Sequence, residues 1–184
     1  MTSRIAALRE ELGGPHPLAA KKVKDHLDDY QMGFIRNAPI AVMASANGDG
    51  DCDASPKGGK PGFCRILDPR TLLIPDVGGN RLFQSFENFE TNPKAGFVFM
   101  IPGMDVTVRV NGRVEVLEQA DAATAGADAD VHSPDDNATL VQGFKLHVDE
   151  AYFHCPRSFG FGDVWNPETI ASNAARSIKQ LAET

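Results

Sequence analysis

The sequence is short of several things, and each shortage excludes a class of protein. It has no run of ~18 or more consecutive apolar residues, the length a membrane-spanning helix requires. Basic charge is scarce: 18 Lys and Arg stand against 25 Asp and Glu, for a formal net charge of -7 over 184 residues. A nucleic-acid binder needs a basic face to displace counterions, and an anionic membrane surface asks for the same, so neither partner is expected. Cysteine is limited to Cys52, Cys64 and Cys155, an odd number without a CxxC pair, which argues against a disulfide framework. The N-terminal stretch carries Glu10 and Glu11 where a secretory signal would need uninterrupted apolar residues. A cytoplasmic protein with reduced thiols is the expectation. What remains, with 42% hydrophobic and 23% charged residues, suits a single folded domain.

Periodicity then orders the chain. Residues 1–26 read as an N-terminal helical arm, with a short surface helix ending at Gly13-Gly14. Val23, Leu27, Tyr30, Phe34 and Ile35 predict a helix over 20–38, stopped by Pro39. Residues 39–45 and 52–55 predict two strands about an Asn47-Gly48-Asp49-Gly50-Asp51 turn. Residues 63–67 and 71–75 predict a hairpin around Asp68-Pro69-Arg70. Asn80 is placed to cap a helix carrying Phe83, Phe86 and Phe89, and 95–101 predicts a further strand. Val106, Val108, Val110, Val114 and Val116 keep one phase across Asn111-Gly112, which favours one long strand bent at Gly112 over a hairpin. A short helix and a solvated loop follow over 119–139. Residues 144–148 and 150–154 predict two closing strands, and 166–184 a terminal helix. Many short strands with few helices indicate a mainly β, α+β barrel spanning 27–165.

Two segments have the makings of an anion site. Ser55-Pro56-Lys57-Gly58-Gly59-Lys60-Pro61-Gly62 combines approachable glycine backbone with two lysines, although an exposed turn has the same composition. Pro75 to Arg81 leads into a helix whose N-terminus would attract an anion. Arg81 in a first helical turn opposes the macrodipole unless an anion is bound there, and ordinary capping by Asn80 is the alternative. No recurrent metal-ligand spacing links His132, His147, His154, Cys155 and the aspartates of 128–136, so no metal is expected. His154 and Cys155 would point to opposite faces of a strand, a poor arrangement for an activated nucleophile. Phe159, Phe161 and Trp165 would either line a flat ligand or pack.

Taken in order, S-P-K-G at 55–58, P-G-F at 61–63, L-x-I-P-D at 72–76, G-N-R-L-x-x-S-F-x-N at 79–88, Asn92-Pro93, Arg109 to Arg113 and Tyr152 to Arg157 resemble the FMN-binding proteins related to pyridoxamine 5'-phosphate oxidase. The resemblance implies a dimeric split β-barrel with two FMN molecules at the subunit interface. It places Ser55, Pro56, Lys57 and Gly58 along the flavin, with Ile74 and Pro75 continuing that wall. Asn80 and Arg81 would grip the phosphate, and Thr107 would meet the flavin. Phe153, His154 and Arg157 would reach it across the interface. The basic and aromatic set that such oxidases use for the substrate phosphate is not recognisable here. The function implied is an FMN-dependent oxidoreductase acting on an unknown small molecule. The alternatives are a non-catalytic flavin-binding or redox-sensing module, or a related split barrel that binds haem or a deazaflavin. A homodimer is expected also because the apolar strand 106–116 exceeds what so small a barrel would cover alone.

Overall fold

The computed structural model describes residues 3–14 and 17–182; Met1, Thr2, Pro15, His16 and the last two positions of the expected terminal helix, Glu183 and Thr184, lie outside them. Two short helices, α1 (Arg4–Leu12) and α2 (Pro17–Lys22), precede α3 (Asp29–Asn37). The helix expected over 20–38 is thus interrupted. Asp28 takes the N-cap position of α3 and forms a reciprocal capping box with Gln31, which starts a new helix. Upstream the chain is extended. Lys24 bridges to Ala151, and the Leu27 N–H donates to the Pro69 carbonyl at 2.8 Å, burying Leu27 without any helix.

Seven strands form one antiparallel sheet: β1 (Ile40–Ala46), β2 (Cys52–Gly58), β3 (Arg65–Asp68), β4 (Thr71–Val77), β5 (Lys94–Met100), β6 (Thr107–Leu117) and β7 (Leu140–His154). Their spatial order is β2-β1-β5-β6-β7-β4-β3. The second strand is longer than expected. It runs through Ser55-Pro56-Lys57-Gly58, which is extended chain rather than a loop. Its place at the end of the sheet tolerates Pro56, which has no N–H to donate. The two expected closing strands are one, continuous through Asp149.

The bent strand is present as expected, and its unbroken phase has a structural reason. Asn111 pairs with Glu150 and Gly112 with Val148, so the extra residue of the bulge, Asp149, belongs to β7. On β6 the same face stays inward through Val108, Val110 and Val114. On β7 the inward set changes from Phe144, Leu146 and Val148 to Ala151. These valines are covered by the chain itself, which corrects the argument that the strand needs a second copy to bury it. Only Val116, at its far end, is well exposed, at 45%.

The sheet curls around one core that gathers side chains from β1, β4, β5, β6 and β7. Helix α4 (Gln84–Thr91) adds Phe86 and Phe89, whose rings lie 6.0 and 5.6 Å from that of Phe144. Burial of such rings stabilises the fold by roughly 1.5–3 kcal/mol each. The curl brings β2, one edge strand, up to β4, the neighbour of the other edge strand. Lys57 of β2 donates to Asp76 of β4 at 2.8 Å, although four strands separate them in the ladder. After β6 comes α5 (Gln119–Thr124). A short helix that the sequence did not predict, α6 (Arg157–Phe161), follows β7, and the terminal helix expected over 166–184 is broken into α7 (Pro167–Ala174) and α8 (Ile178–Ala182). Asn166 caps α7 ahead of Pro167, and Ser177 and Gln180 bond reciprocally at the start of α8.

Gly112 sits where the bulge presses β7 closest. A Cβ there would meet the carbonyl oxygen of His147. Gly112→Ala is therefore expected to destabilise the fold by about 1–3 kcal/mol, read as a lower urea midpoint. A midpoint equal to that of the wild type would mean that β7 shifts freely at this point.

Candidate functional site

The curl leaves β2 and β4 facing each other without a shared backbone ladder among the described residues, and a cavity of about 480 Å³ opens between them. Alternation along β2 decides one wall. Ser45, Met43 and Ala41 of β1 face the core and pair with Asp53, Ser55 and Lys57, so these three point inward while Ala54, Pro56 and Gly58 point out. Pro75, Asp76 and Val77 at the end of β4 form the opposite wall. The connection 79–83 and the first turn of α4 close one end.

Two side-chain links span the seam. Lys57 and Asp76 form an ion pair, with side chains 17% and 10% exposed. Gln142 of β7 also reaches the second Asp76 oxygen at 3.5 Å. Ser85, in the first turn of α4, donates its hydroxyl to Asp53 at 2.5 Å. A carboxylate thus stands beside the positive end of the helix, the favourable sense of the macrodipole.

The connection before α4 differs from the sequence expectation. Asn80 does not cap the helix; its side chain accepts the N–H of Leu82 at 3.1 Å, and α4 begins only at Gln84. Arg81 therefore lies outside the first turn. Arg81 and Phe83 both adopt left-handed backbone, with φ of 61° and 51°. Such conformations cost on the order of 1–3 kcal/mol and concentrate at ligand-binding segments. Phe83 is turned away from the ring cluster and is 44% exposed beside Leu82 at 59%. The Phe86 and Glu87 N–H groups both donate to the Phe83 carbonyl, while those of Gln84 and Ser85, the first two of α4, have no intrahelical acceptor and no side-chain cap. Arg81 makes no ion pair or hydrogen bond among the described residues, which leaves it the one unmatched cation of the cavity.

Of the residues singled out from the sequence, Ser55, Pro56, Lys57, Gly58, Pro75, Asn80 and Arg81 line this one cavity. Ile74 does not; it is fully buried in the core behind the wall. Thr107, Phe153, His154 and Arg157 lie elsewhere, where β6 begins and β7 ends. Thr107 is buried and pairs with His154 across the two strands. Phe153 packs edge-on against Phe34 of α3, and the Arg157 guanidinium lies 5.0 Å from the Phe161 ring centre. Lys60 is tied to Asp130 and does not line the cavity. Asp53, Asp76 and Ser85 received no role from the sequence. Period-two alternation extended through Pro56 would have put Asp53 on the same face as Ser55 and Lys57.

Comparison with known proteins gives the following. No curated protein matches the chain. HupZ from Group A Streptococcus superposes with a TM-score of 0.51 at 17% identity, over 68% of this chain and 91% of that one. An FMN-binding protein from Syntrophomonas wolfei gives 0.52 at 10% identity, over 83% and 98%. A Lactobacillus delbrueckii protein provisionally assigned as a pyridoxamine 5'-phosphate oxidase gives 0.52 at 21%, over 70% and 95%. These likenesses establish a shared fold. The sequence model of the pyridoxamine 5'-phosphate oxidase family matches residues 27–155, from the buried Leu27 ahead of α3 to the end of β7. Since that span is well over half of the molecule, the chain belongs to the pyridoxamine 5'-phosphate oxidase family.

Proposed function

We propose that the protein is an FMN-binding oxidoreductase acting on a small molecule, working as a dimeric split β-barrel. The observation that carries this reading is the cavity between β2 and the start of α4, where an unmatched Arg81 and uncapped helix N–H groups stand at one end of a long wall. Its volume falls within the range of roughly 300–1,000 Å³ usual for cofactor sites. A phosphate at that end would answer both the arginine and the helix dipole. Ser55, Lys57 and Pro75 would line the remainder of the ligand.

A flavin held in this cavity would supply electron exchange with a substrate. The chain's own residues bind and orient. Arg81 and the first turn of α4 hold the anionic end. The Lys57–Asp76 and Asp53–Ser85 links keep the two walls at a fixed separation. Leu82 and Phe83, both exposed, line the same end of the cavity as Arg81.

The dimer is supported by two features. The family resemblance has Phe153, His154 and Arg157 reach the flavin across a subunit interface, and within one chain these residues are set apart from the cavity. Helices α6 to α8 also have no buried residue and carry exposed Phe161, Ile170 and Ile178. The purified protein is expected to show flavin absorbance near ~450 nm and to scatter light as a dimer. A haem spectrum, or a flavin-loaded monomer at micromolar concentration, would replace this reading.

Arg81→Ala is expected to weaken FMN binding by roughly tenfold to a hundredfold and to leave riboflavin binding nearly unchanged, as the loss of one charge-assisted hydrogen bond predicts. Equal losses for both flavins in fluorescence titrations would remove Arg81 from the phosphate end.

Pyridoxamine 5'-phosphate itself is expected to be oxidised poorly. The cavity holds Asp53 and Asp76 against Lys57 and Arg81, which leaves no spare cation for a second phosphate. Steady-state oxidation by the FMN-loaded protein with kcat/KM at or above ~10⁴ M⁻¹s⁻¹ would contradict this.

A further inference from the structure

Four charged side chains line the cavity, Asp53, Lys57, Asp76 and Arg81, and their formal charges cancel. They are not distributed evenly. Asp76 is bound directly to Lys57, and Asp53 is bound to the first turn of α4 through Ser85. Of the two cationic side chains only Arg81 is therefore without a carboxylate, while Asp53 stands beside the α4 N–H groups without accepting from them. Asp76 is the more consequential of the two, because it is 10% exposed in its side chain and is fixed from two sides, by Lys57 and by Gln142. Water screens it weakly.

The size of the cavity makes its charge unavoidable. A space of about 480 Å³ is about 10 Å across, comparable with a Debye length of ~8–10 Å near physiological salt. A phosphate anywhere inside lies within the field of the Asp76 carboxylate. At an effective dielectric of about 20, two unit charges about 8 Å apart repel enough to change a binding constant by roughly thirtyfold. Lys57 attracts the same phosphate, but its partner 2.8 Å away cancels most of that attraction at any distance much larger than the pair.

We propose that Asp76 is a charge-selectivity residue: by neutralising Lys57 it flattens the cavity's preference for a phosphorylated flavin, so that an unphosphorylated flavin is an effective ligand of the same site. This rests on the flavin reading above. The ligand class is a flavin with little or no charge on its tail, competing with FMN. Arg81 supplies the preference for phosphate and Asp76 opposes it.

The test is fluorescence titration of the full chain, freed of flavin, with FMN and with riboflavin. The wild type is expected to prefer FMN by no more than about tenfold. Asp76→Asn keeps the shape and a hydrogen-bond acceptor for Lys57 while removing the charge. It is expected to tighten FMN at least about tenfold and to move riboflavin by less than about threefold. Adding Lys57→Gln to Asp76→Asn is expected to abolish that gain. Weaker FMN binding in Asp76→Asn, or equal changes for the two flavins, overturns the proposal and makes Asp76 a residue that only positions Lys57. Should Asp76→Asn fail to fold by circular dichroism, the wild-type ratio decides: a preference for FMN above about tenfold overturns the proposal, and one within about tenfold supports it. A wild type that binds neither flavin overturns the flavin reading and this proposal with it.

Discussion

A seven-stranded sheet that curls without closing its ladder has to hold its two ends by something other than backbone hydrogen bonds, and here side chains do that work. Lys57 reaches Asp76, and Asp53 reaches Ser85, across the seam between β2 and the β4–α4 connection. An ion pair with both members mostly out of water gains little net stability, because desolvation offsets attraction. Its geometric effect is larger. It ties together two walls that the ladder leaves free, and the cavity lies between them. The rest of the structure serves this closure. The bulge at Asp149 turns the long strands, and the ring cluster of Phe86, Phe89, Phe97 and Phe144 seats α4 against the core.

Much of the strand order along the chain was legible because it rests on local rules. The valine phase of β6, the hairpin of β3 and β4 around Pro69, and the turn at 47–51 follow from alternation and turn chemistry. The errors arose where position in the sheet overrides local preference. Pro56 looks like the end of a strand, yet an end strand accepts it. Val23, Leu27 and Tyr30 have helical spacing, but Leu27 is buried from an extended segment anchored to Pro69 and Ala151, and Tyr30 faces solvent. Asn80 is a good capping residue, and it spends its oxygen on Leu82 in a left-handed connection that no propensity rule announces.

The candidate site was legible in part for the same reason. Contiguous motifs placed Ser55 to Gly58 and Asn80-Arg81 at one cavity. The carboxylates that set its charge were not recognised, because Asp53 and Asp76 meet their partners only through long-range closure, over 32 and 19 residues of chain. Thr107, Phe153, His154 and Arg157 belong to the other end of β6 and β7, a separation that only the register of those strands reveals.

The two ends of the sheet also bear on how molecules of this chain meet one another. A sheet edge with unpaired N–H and C=O groups can recruit another strand and propagate. One edge here is β2, where Pro56 has no N–H to offer. The other is β3, only four residues long, with its register broken between Ile66 and Asp68. Neither edge gives a neighbour a long template for strand addition. Crowded copies of this chain are thereby denied an easy route to edge-to-edge growth of the kind that builds fibres.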